Sequence, residues 1–358
     1  MSEMTERGAF SWHEIVTQSG SWQGALAAAK AKGDAAKALL TLAKRVLFIG
    51  CGSTHYLAQF AAPFYQAVTG CASQAVPSSE LLLHTETVIA KGERPAVVAL
   101  SRSGETSETI MAMKKARELG CPTLTISCYE DVGLARVSDV TISIPEGREQ
   151  SFAQTRSFAG MLVAAQAVAA MVAGDGALLA ELERVPGLAE ELISRAQPVA
   201  QRWGEDETIK RITYLGSGWV YGLASEATVK MKEMSLSMAE PYHFMEFRHG
   251  PMSLVDQEHL VVALLSDRVR DYEVAVLRDL KARGARVLTV SNTTDGLDEF
   301  DDALALLAPV SERARPVLYL PFVQLLAYYR SMHRGLNPDR PRNVVMAIKL
   351  TGTEMGAS

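Results

Sequence analysis

A hydroxyl-rich turn at residues 101–106 carries the residue types that bind an oxyanion. Its sequence is SRSGET, and it lies between an apolar run and a helix-like stretch. The first turn of a helix leaves backbone N–H groups without partners and carries a partial positive charge. Hydroxyl groups donate to phosphate oxygens. A helix cap needs one hydroxyl, whereas this turn offers Ser101, Ser103 and Thr106 together with Arg102, so the pattern predicts an anion site.

A charged helical face later in the chain carries residue types that can move protons. Glu226, Lys230 and Glu233 are spaced four and three residues apart, so they share one face of a helix. Most faces of this kind are solvated salt bridges. The interleaved apolar residues leave little room for a wide wet face, which favours charges that point into a cleft. The local pattern leaves both interpretations open.

A histidine beyond this helix has the chemistry of a general acid or base near neutral pH. His249 is followed by Gly250 and Pro251, which end regular structure and fix a loop. Histidine titrates near neutral pH. A lone histidine is more often incidental, and His243 is the weaker candidate of the two, so the residues alone leave both roles open.

Short apolar runs alternate with helical patterns, which predicts βαβ units and parallel sheets. In the first half the runs lie at 45–50, 96–100, 123–127 and 140–144. The pattern returns after about 165 residues, a domain-sized repeat, so that VLFIGCG at 46–52 matches ITYLGSG at 212–218. We therefore expect an α/β protein made of two duplicated domains.

The two copies differ where chemistry would occur. At the position of SRSGET, the second copy reads SDRVR at 266–270, without glycine and with an acidic residue that repels phosphate. We expect one phosphate site per chain, in the first domain. The join falls in a charged stretch broken by Pro186 and Pro198. The expected divisions are an N-terminal segment (1–30), a first domain (31–175), linker helices (176–207), a second domain (208–335) and a tail (336–358).

Composition excludes several classes of protein. The chain has 358 residues, which suits two domains, and a net charge of −5, which argues against a general nucleic-acid binder. The N-terminus has no signal-peptide pattern. The apolar stretch 158–174 is short, alanine-rich and interrupted by Gln166, so we expect a buried core helix. No membrane partner and a cytoplasmic location are expected.

The cysteines point to reduced thiols. Cys51, Cys71, Cys121 and Cys128 form no Cys-x-x-Cys pair and have no histidine at metal-ligand spacing. No metal site is expected. Cys51 lies in a glycine turn, where it is either near a ligand or a small residue that fits.

Taken together, the motifs resemble the double sugar-isomerase (SIS) domain family. The chain looks most like the isomerase half of glucosamine-6-phosphate synthase and its stand-alone relatives. The matching motifs span almost the whole chain in the family's order: GCGST at 50–54, SRSGET at 101–106, residues 149–158, residues 226–233, EFRHGP at 246–251 and PRN at 341–343. The resemblance implies tandem SIS domains, each a parallel sheet flanked by helices in a flavodoxin-like three-layer sandwich.

The resemblance also implies residue roles. Glu233 matches the carboxylate that moves a proton between C1 and C2 of a sugar 6-phosphate, and Lys230 lines the same pocket. His249 matches a ring-opening histidine that reaches in from the neighbouring subunit, which implies a homodimer. The phosphate-binding positions are Ser53, Thr54, Ser101, Arg102, Ser103 and Thr106, and further pocket positions are Gly52, Glu149 and Met346.

This chemistry suits the residue types. Aldose–ketose interconversion removes a proton next to a carbonyl and returns it to the adjacent carbon. One carboxylate can perform both steps, each worth roughly 10²–10⁴-fold in rate. Neither a metal nor another cofactor is required.

Two departures from the synthase narrow the expected reaction. The synthase carries an N-terminal glutaminase domain with a cysteine nucleophile, whereas here the SIS part begins within about thirty residues, so glutamine-dependent synthesis is not expected. Met346 stands where the synthase has a lysine that forms a Schiff base with the ketose. Lys349 lies three residues further on and substitutes only if the tail takes another path.

Two functions remain open. The first is a phosphosugar isomerase or an amino-sugar-phosphate deaminase or deglycase, acting on a substrate such as glucosamine 6-phosphate or a fructosamine 6-phosphate. The second is a non-catalytic regulator that binds a sugar phosphate. Retention of both Glu233 and His249 favours the enzyme. The sequence does not name the sugar.

Overall fold

The computed structural model describes residues 6–350, in which two five-stranded parallel sheets are each flanked by helices. The strands are β1 (Arg45–Gly50), β2 (Ala72–Pro77), β3 (Ala96–Ser101), β4 (Thr123–Ser127), β5 (Val140–Ser143), β6 (Arg211–Gly216), β7 (Met238–Tyr242), β8 (His259–Leu264), β9 (Arg286–Ser291) and β10 (Asp302–Ala305). The helices are α1 (Ala9–Val16), α2 (Ser19–Ala31), α3 (Gly33–Thr41), α4 (Ser53–Thr69), α5 (Ser78–Leu83), α6 (Thr85–Val88), α7 (Ser107–Glu118), α8 (Arg156–Ala173), α9 (Gly176–Arg184), α10 (Ala189–Gly204), α11 (Val220–Ser235), α12 (Phe244–Phe247), α13 (Arg270–Lys281) and α14 (Leu320–His333). Short 3₁₀ turns lie at Ala135–Val137, Pro145–Gly147, Val185–Leu188, Pro251–Leu254 and Pro316–Tyr319.

The chain divides into two compact units, each built from separate segments. The first unit contains Gly20–Glu149, Arg156–Glu183 and residues 345–350 of the tail. The second unit contains residues 6–19, Gln150–Thr155 and Arg184–Val344. The domain boundaries expected at residues 30, 175, 207 and 335 stay predictions.

The first unit is a three-layer sandwich around the sheet β2-β1-β3-β4-β5. Every neighbouring pair of strands is parallel, and all six residues of β3 are buried. Helices α4 and α8 lie on one face, and α5 and α7 pack on the other. Parallel strands covered on both faces are rich in apolar and β-branched residues, and short runs of such residues at 45–50 and 123–127 predicted β1 and β4 residue for residue.

The second unit repeats the same topology. Its sheet has the order β7-β6-β8-β9-β10, which corresponds strand for strand to the first sheet. Helices α12 and α13 contribute to a core with β6, β8 and β9, and α11 packs against β6 and α14. The expected duplication, with flavodoxin-like strand order, is confirmed. The edge strand β7 escaped prediction because it is short, half-exposed and contains Pro241, which only an edge strand tolerates.

Helix α8 is the apolar stretch expected as a core helix. It is long and apolar enough to cross a membrane by length and composition, yet 78% of its 18-residue window is buried in the structure. Its buried residues run from Ser157 to Ala170. The prediction of a core helix is confirmed.

The same glycine turn follows the first strand of each sheet. Gly52 and Gly218 have φ angles of +57° and +55°, a conformation that glycine adopts without steric cost. A Cβ atom at Gly50 would lie 2.5 Å from the Thr54 carbonyl carbon, and one at Gly216 would lie 2.8 Å from the Val220 carbonyl oxygen. The missing side chains let each helix begin directly against its strand.

Gly104 in the SRSGET turn is constrained by its backbone conformation and by the atoms packed around it. Its φ is +66°, and a Cβ there would lie 2.2 Å from Val132 Cγ2. We expect Gly104→Ala to cost more stability than Gly70→Ala, because Gly70 has a φ of +74° with open space around it. The left-handed conformation costs alanine about 1–2 kcal/mol, and overpacking adds about 1–3 kcal/mol. Urea unfolding of both variants measures the difference, and equal losses would contradict the packing constraint.

Candidate functional site

The hydroxyls of the SRSGET turn differ in how they are used. Ser101 ends β3 and is buried, and its Oγ accepts a hydrogen bond from Gly104 N at 3.1 Å. Ser103 Oγ accepts one from Glu105 N at 3.2 Å. Thr106 is the N-cap residue of α7, but its side chain makes no capping hydrogen bond. The hydroxyl of Thr106 therefore does not serve as the cap that a purely structural role requires.

The GCGST turn of the same unit lies at the carboxyl end of the neighbouring strand β1. The Thr54 hydroxyl is buried, accepts from Cys51 N and donates to Cys51 O, both at 3.0 Å. Ser53 is buried at the start of α4, directly after Gly52. These two turns follow adjacent parallel strands, so the carboxyl edge of the sheet brings them to the same side.

The Cys51 thiol is poorly suited to be a nucleophile. Burial raises its pKa above the ordinary value, although a hydrogen bond with Thr109 opposes the shift. The two side chains are 3.5 Å apart. A thiol held protonated at neutral pH is weakly nucleophilic, which disfavours Cys51 as a nucleophile; its placement near a ligand or as a small residue of the turn stays a prediction.

Three predicted pocket residues meet at one buried guanidinium group. Arg102 Nη1 lies 3.3 Å from Glu149 Oε2, and the two side chains are 3% and 0% exposed. Arg102 Nη2 donates to the Met346 carbonyl oxygen at 3.2 Å. Glu149 also accepts from the Ser157 N–H at 3.2 Å and from its hydroxyl at 2.5 Å. Arg102 thus links the turn to the 149–157 loop and to the tail.

The tail continues along the start of α7. Ser107 N donates to Ile348 O at 3.2 Å, and Leu350 N donates to Ser107 Oγ at 3.1 Å. Met346 contributes its backbone carbonyl to the contact with Arg102. Lys349 is exposed and makes no hydrogen bond or ion pair with another residue in the range 6–350.

In the second unit, α11 holds a buried cation between two carboxylates. Lys230 Nζ lies 2.7 Å from Glu233 Oε2 and 3.5 Å from Glu226 Oε1. The side chains of Glu226 and Lys230 are 2% and 1% exposed, whereas that of Glu233 is 26% exposed. Glu226 and Lys230 therefore do not belong to a solvated face of the helix, whereas Glu233 remains accessible to solvent.

A cavity of about 120 Å³ adjoins Glu233. Its lining includes Arg340, which sequence reasoning missed, and Arg342 of the PRN motif. Arg340 Nη1 donates to the Gln150 carbonyl oxygen at 2.5 Å. An accessible carboxylate beside guanidinium groups has the chemistry of a proton-transfer site with an anionic or polyhydroxyl ligand.

The two histidines occupy different environments. His249 is exposed between α12 and the turn Pro251–Leu254, and its N–H donates to Glu246 O at 2.9 Å. No contact among the described residues joins its ring to Glu233. The His243 ring stacks on Tyr221 with centroids 4.0 Å apart, and burial lowers its pKa. His243 therefore has a packing role.

The Arg102–Glu149 pair predicts a large loss of stability when one partner is removed. Glu149→Gln leaves a buried guanidinium without its counter-charge, which costs about 3–5 kcal/mol. The matched control is Glu299→Gln, which removes the partner of Arg278 in an exposed pair and should change stability little. Urea unfolding tests both, and an equally small effect for Glu149→Gln would show that Arg102 does not depend on this carboxylate.

Comparisons with known proteins agree with this architecture. Residues 39–171 and 208–328 match the sequence profile of the SIS domain. A glutamine–fructose-6-phosphate aminotransferase (isomerizing) from Methanothermobacter thermautotrophicus is 28% identical over 309 residues, which cover 85% of this chain and 51% of that protein. The chain therefore spans about half the length of this curated relative.

Two solved structures have the same fold. Tagatose-6-phosphate ketose/aldose isomerase from Escherichia coli superposes with a TM-score of 0.84 at 25% identity, covering 94% of this chain and 97% of that one. Glucosamine-6-phosphate deaminase from Thermotoga maritima superposes with a TM-score of 0.73 at 24% identity, covering 91% and 100%. With both sheets inside the matched regions, the chain belongs to the SIS domain family of phosphosugar isomerase relatives.

Proposed function

We propose that this protein transfers a proton between C1 and C2 of a hexose 6-phosphate, as a phosphosugar isomerase or an amino-sugar-phosphate deaminase or deglycase. The observation that carries the proposal is the Lys230–Glu233 pair, in which a buried ammonium fixes a partly exposed carboxylate. Oε2 of Glu233 accepts from Lys230 at 2.7 Å. Oε1 has no hydrogen bond within the described residues, and in the proposal it takes the proton.

One base suffices for the carbon-bound proton, while the carbonyl oxygen takes up a proton from water and the neighbouring oxygen or nitrogen releases one to water. Glu233 removes the proton from one carbon of the open-chain sugar and returns it to the neighbouring carbon through an enediol or enolamine. With glucosamine 6-phosphate, the resulting imine of fructose 6-phosphate adds water and releases ammonia. A fixed carboxylate contributes roughly 10²–10⁴-fold to such a step.

The SRSGET turn is the proposed phosphate anchor. Ser103 and Thr106 present hydroxyls at the start of α7, where the helix dipole favours negative charge. Ser101, Ser53 and Thr54 complete the two adjoining turns, with Gly52 allowing close approach of the backbone. Arg102 supports the turn from a buried position through Glu149.

Met346 supports reactions that need no protein amine. Its carbonyl, not its side chain, bonds to Arg102, and Lys349 is exposed. A substrate that already carries nitrogen forms its own imine, so deamination, deglycation and plain isomerisation all remain possible without a lysine at this position. The names of two relatives, a glutamine–fructose-6-phosphate aminotransferase and a tagatose-6-phosphate ketose/aldose isomerase, agree with this substrate class.

Substitution of the base should separate turnover from binding. We expect Glu233→Gln to lower turnover by about 10²–10⁴-fold. Binding of the sugar phosphate, measured by calorimetry, should change little, because the phosphate anchor is intact. The assays follow ketose, aldose and ammonia over a panel of hexose, hexosamine and fructosamine 6-phosphates.

The matched control for this variant is Glu240→Gln, which changes a carboxylate on β7 that accepts a hydrogen bond from the Tyr242 hydroxyl at 2.9 Å. It should retain full activity. Full activity of Glu233→Gln would contradict the proposed base. Tight sugar-phosphate binding by the unmodified protein without any turnover would instead indicate a regulator.

The exposed position of His249 supports a homodimer in which this histidine acts in the partner's site. In that case mixtures of Glu233→Gln and His249→Asn chains, dissociated and reassociated, should recover activity that neither variant has alone. Random pairing makes half of the dimers mixed, each with one intact site, so about a quarter of the unmodified activity is expected. If the chains are shown to exchange between dimers and no activity is recovered, His249 acts in the site of its own chain or takes no part in catalysis.

A further inference from the structure

A second cavity, of about 300 Å³, lies within the second unit at the carboxyl edge of its sheet. Its walls come from the glycine turn after β6, with Ser217 and Trp219, and from the segment after β8, with Ser266 and Val269. Strand β7 lies on one side of β6 and β8 on the other, so the strand order reverses between β6 and β8. Ligands of open parallel sheets bind outside the carboxyl ends at such a point.

The cavity contains a buried hydroxyl without a partner. Ser266 is 7% exposed, lines the cavity, and its Oγ makes no hydrogen bond with another described residue. Its N–H donates to Glu273 Oε2 at 2.8 Å. Burial raises the pKa of Glu273, and Ser217 and Ser266 oppose the rise. A buried hydroxyl without a hydrogen-bond partner, such as that of Ser266, is typical of a site that a ligand completes.

The charges around the cavity disfavour an oxyanion. Glu273 is buried beneath it, and Glu312 lines it and accepts from Asp267 N at 3.1 Å. The buried Arg315 is neutralised by its ion pair with Asp267. Arg268 is exposed at the mouth. The carboxylate of Glu312 in the lining accepts hydrogen bonds and attracts an ammonium group.

We propose that this cavity binds an unphosphorylated amino sugar. The apolar wall of Trp219, Val220 and Val269 suits the C–H face of a sugar ring, and the serine hydroxyls and Glu312 suit its hydroxyl and ammonium groups. The volume is at the lower end of the range for small-molecule sites, roughly 300–1,000 Å³, which fits one monosaccharide. This site is distinct from the phosphate anchor, which lies in the first unit.

Calorimetry on the full chain with glucosamine as the probe tests the proposal without any need for turnover. Val269→Trp fills the cavity from a position that is 36% exposed, and we expect glucosamine binding to weaken at least tenfold. The control is Tyr272→Trp, which adds an indole at a position that is 68% exposed and does not line the cavity, and it should leave binding unchanged.

Glu312→Gln provides a second test that keeps the hydrogen-bond acceptor for Asp267. It should weaken glucosamine binding about tenfold or more, the usual effect of losing a charge-assisted bond, and leave glucose binding within about twofold. Inorganic phosphate should not compete with glucosamine. The proposal is overturned if glucosamine fails to bind saturably, if Val269→Trp binds it normally in a folded chain, or if phosphate displaces it. Loss of turnover in Glu233→Gln bears only on the proposed reaction and leaves these outcomes unaffected.

Discussion

The proposed function depends on one physical constraint: the buried ammonium group of Lys230 must be paired with carboxylates. An unpaired charge in this position would cost several kcal/mol, so two carboxylates must stay within reach. Glu226 is buried with it, and Glu233 satisfies it from the accessible end of the same face. The ion pair thus holds one oxygen of Glu233 in place and leaves the other without a hydrogen bond among the described residues. The helix spacing of four and three residues keeps the three charged groups on one face, as the proposed role of Glu233 as a base requires.

The duplicated fold explains why each chain offers two strand-edge sites with different chemistry. Both sheets have the same strand order and the same left-handed glycine turn, at Gly52 and at Gly218. The segment after β3 has a glycine and three hydroxyls, whereas the segment after β8 borders a cavity whose lining includes the carboxylate of Glu312. The backbone forms the same glycine turn at the carboxyl edge of each sheet, and the side chains around it determine which ligand charge each proposed site favours.

Sequence reasoning succeeded where a single local pattern determines the structure. Strands buried on both faces appear as short runs of apolar and β-branched residues, so β1 and β4 were predicted to the residue. Helical spacing placed Glu226 and Glu233 on one face. The Arg102–Glu149 pair joins residues 47 positions apart, and its further bond to the tail uses a backbone carbonyl. Neither contact produces a periodic pattern in the sequence, because both contacts arise from tertiary packing alone.

Isotope exchange tests the central claim most directly. The unmodified protein is incubated in heavy water with each hexose, hexosamine and fructosamine 6-phosphate, and NMR measures deuterium at C1 and C2. We expect deuterium at C1 or C2 of at least one bound sugar phosphate, because a carboxylate that carries a proton between these carbons exchanges that proton with solvent. A sugar phosphate that binds tightly at the SRSGET turn while no member of the panel exchanges either hydrogen would contradict proton transfer and leave a binding protein.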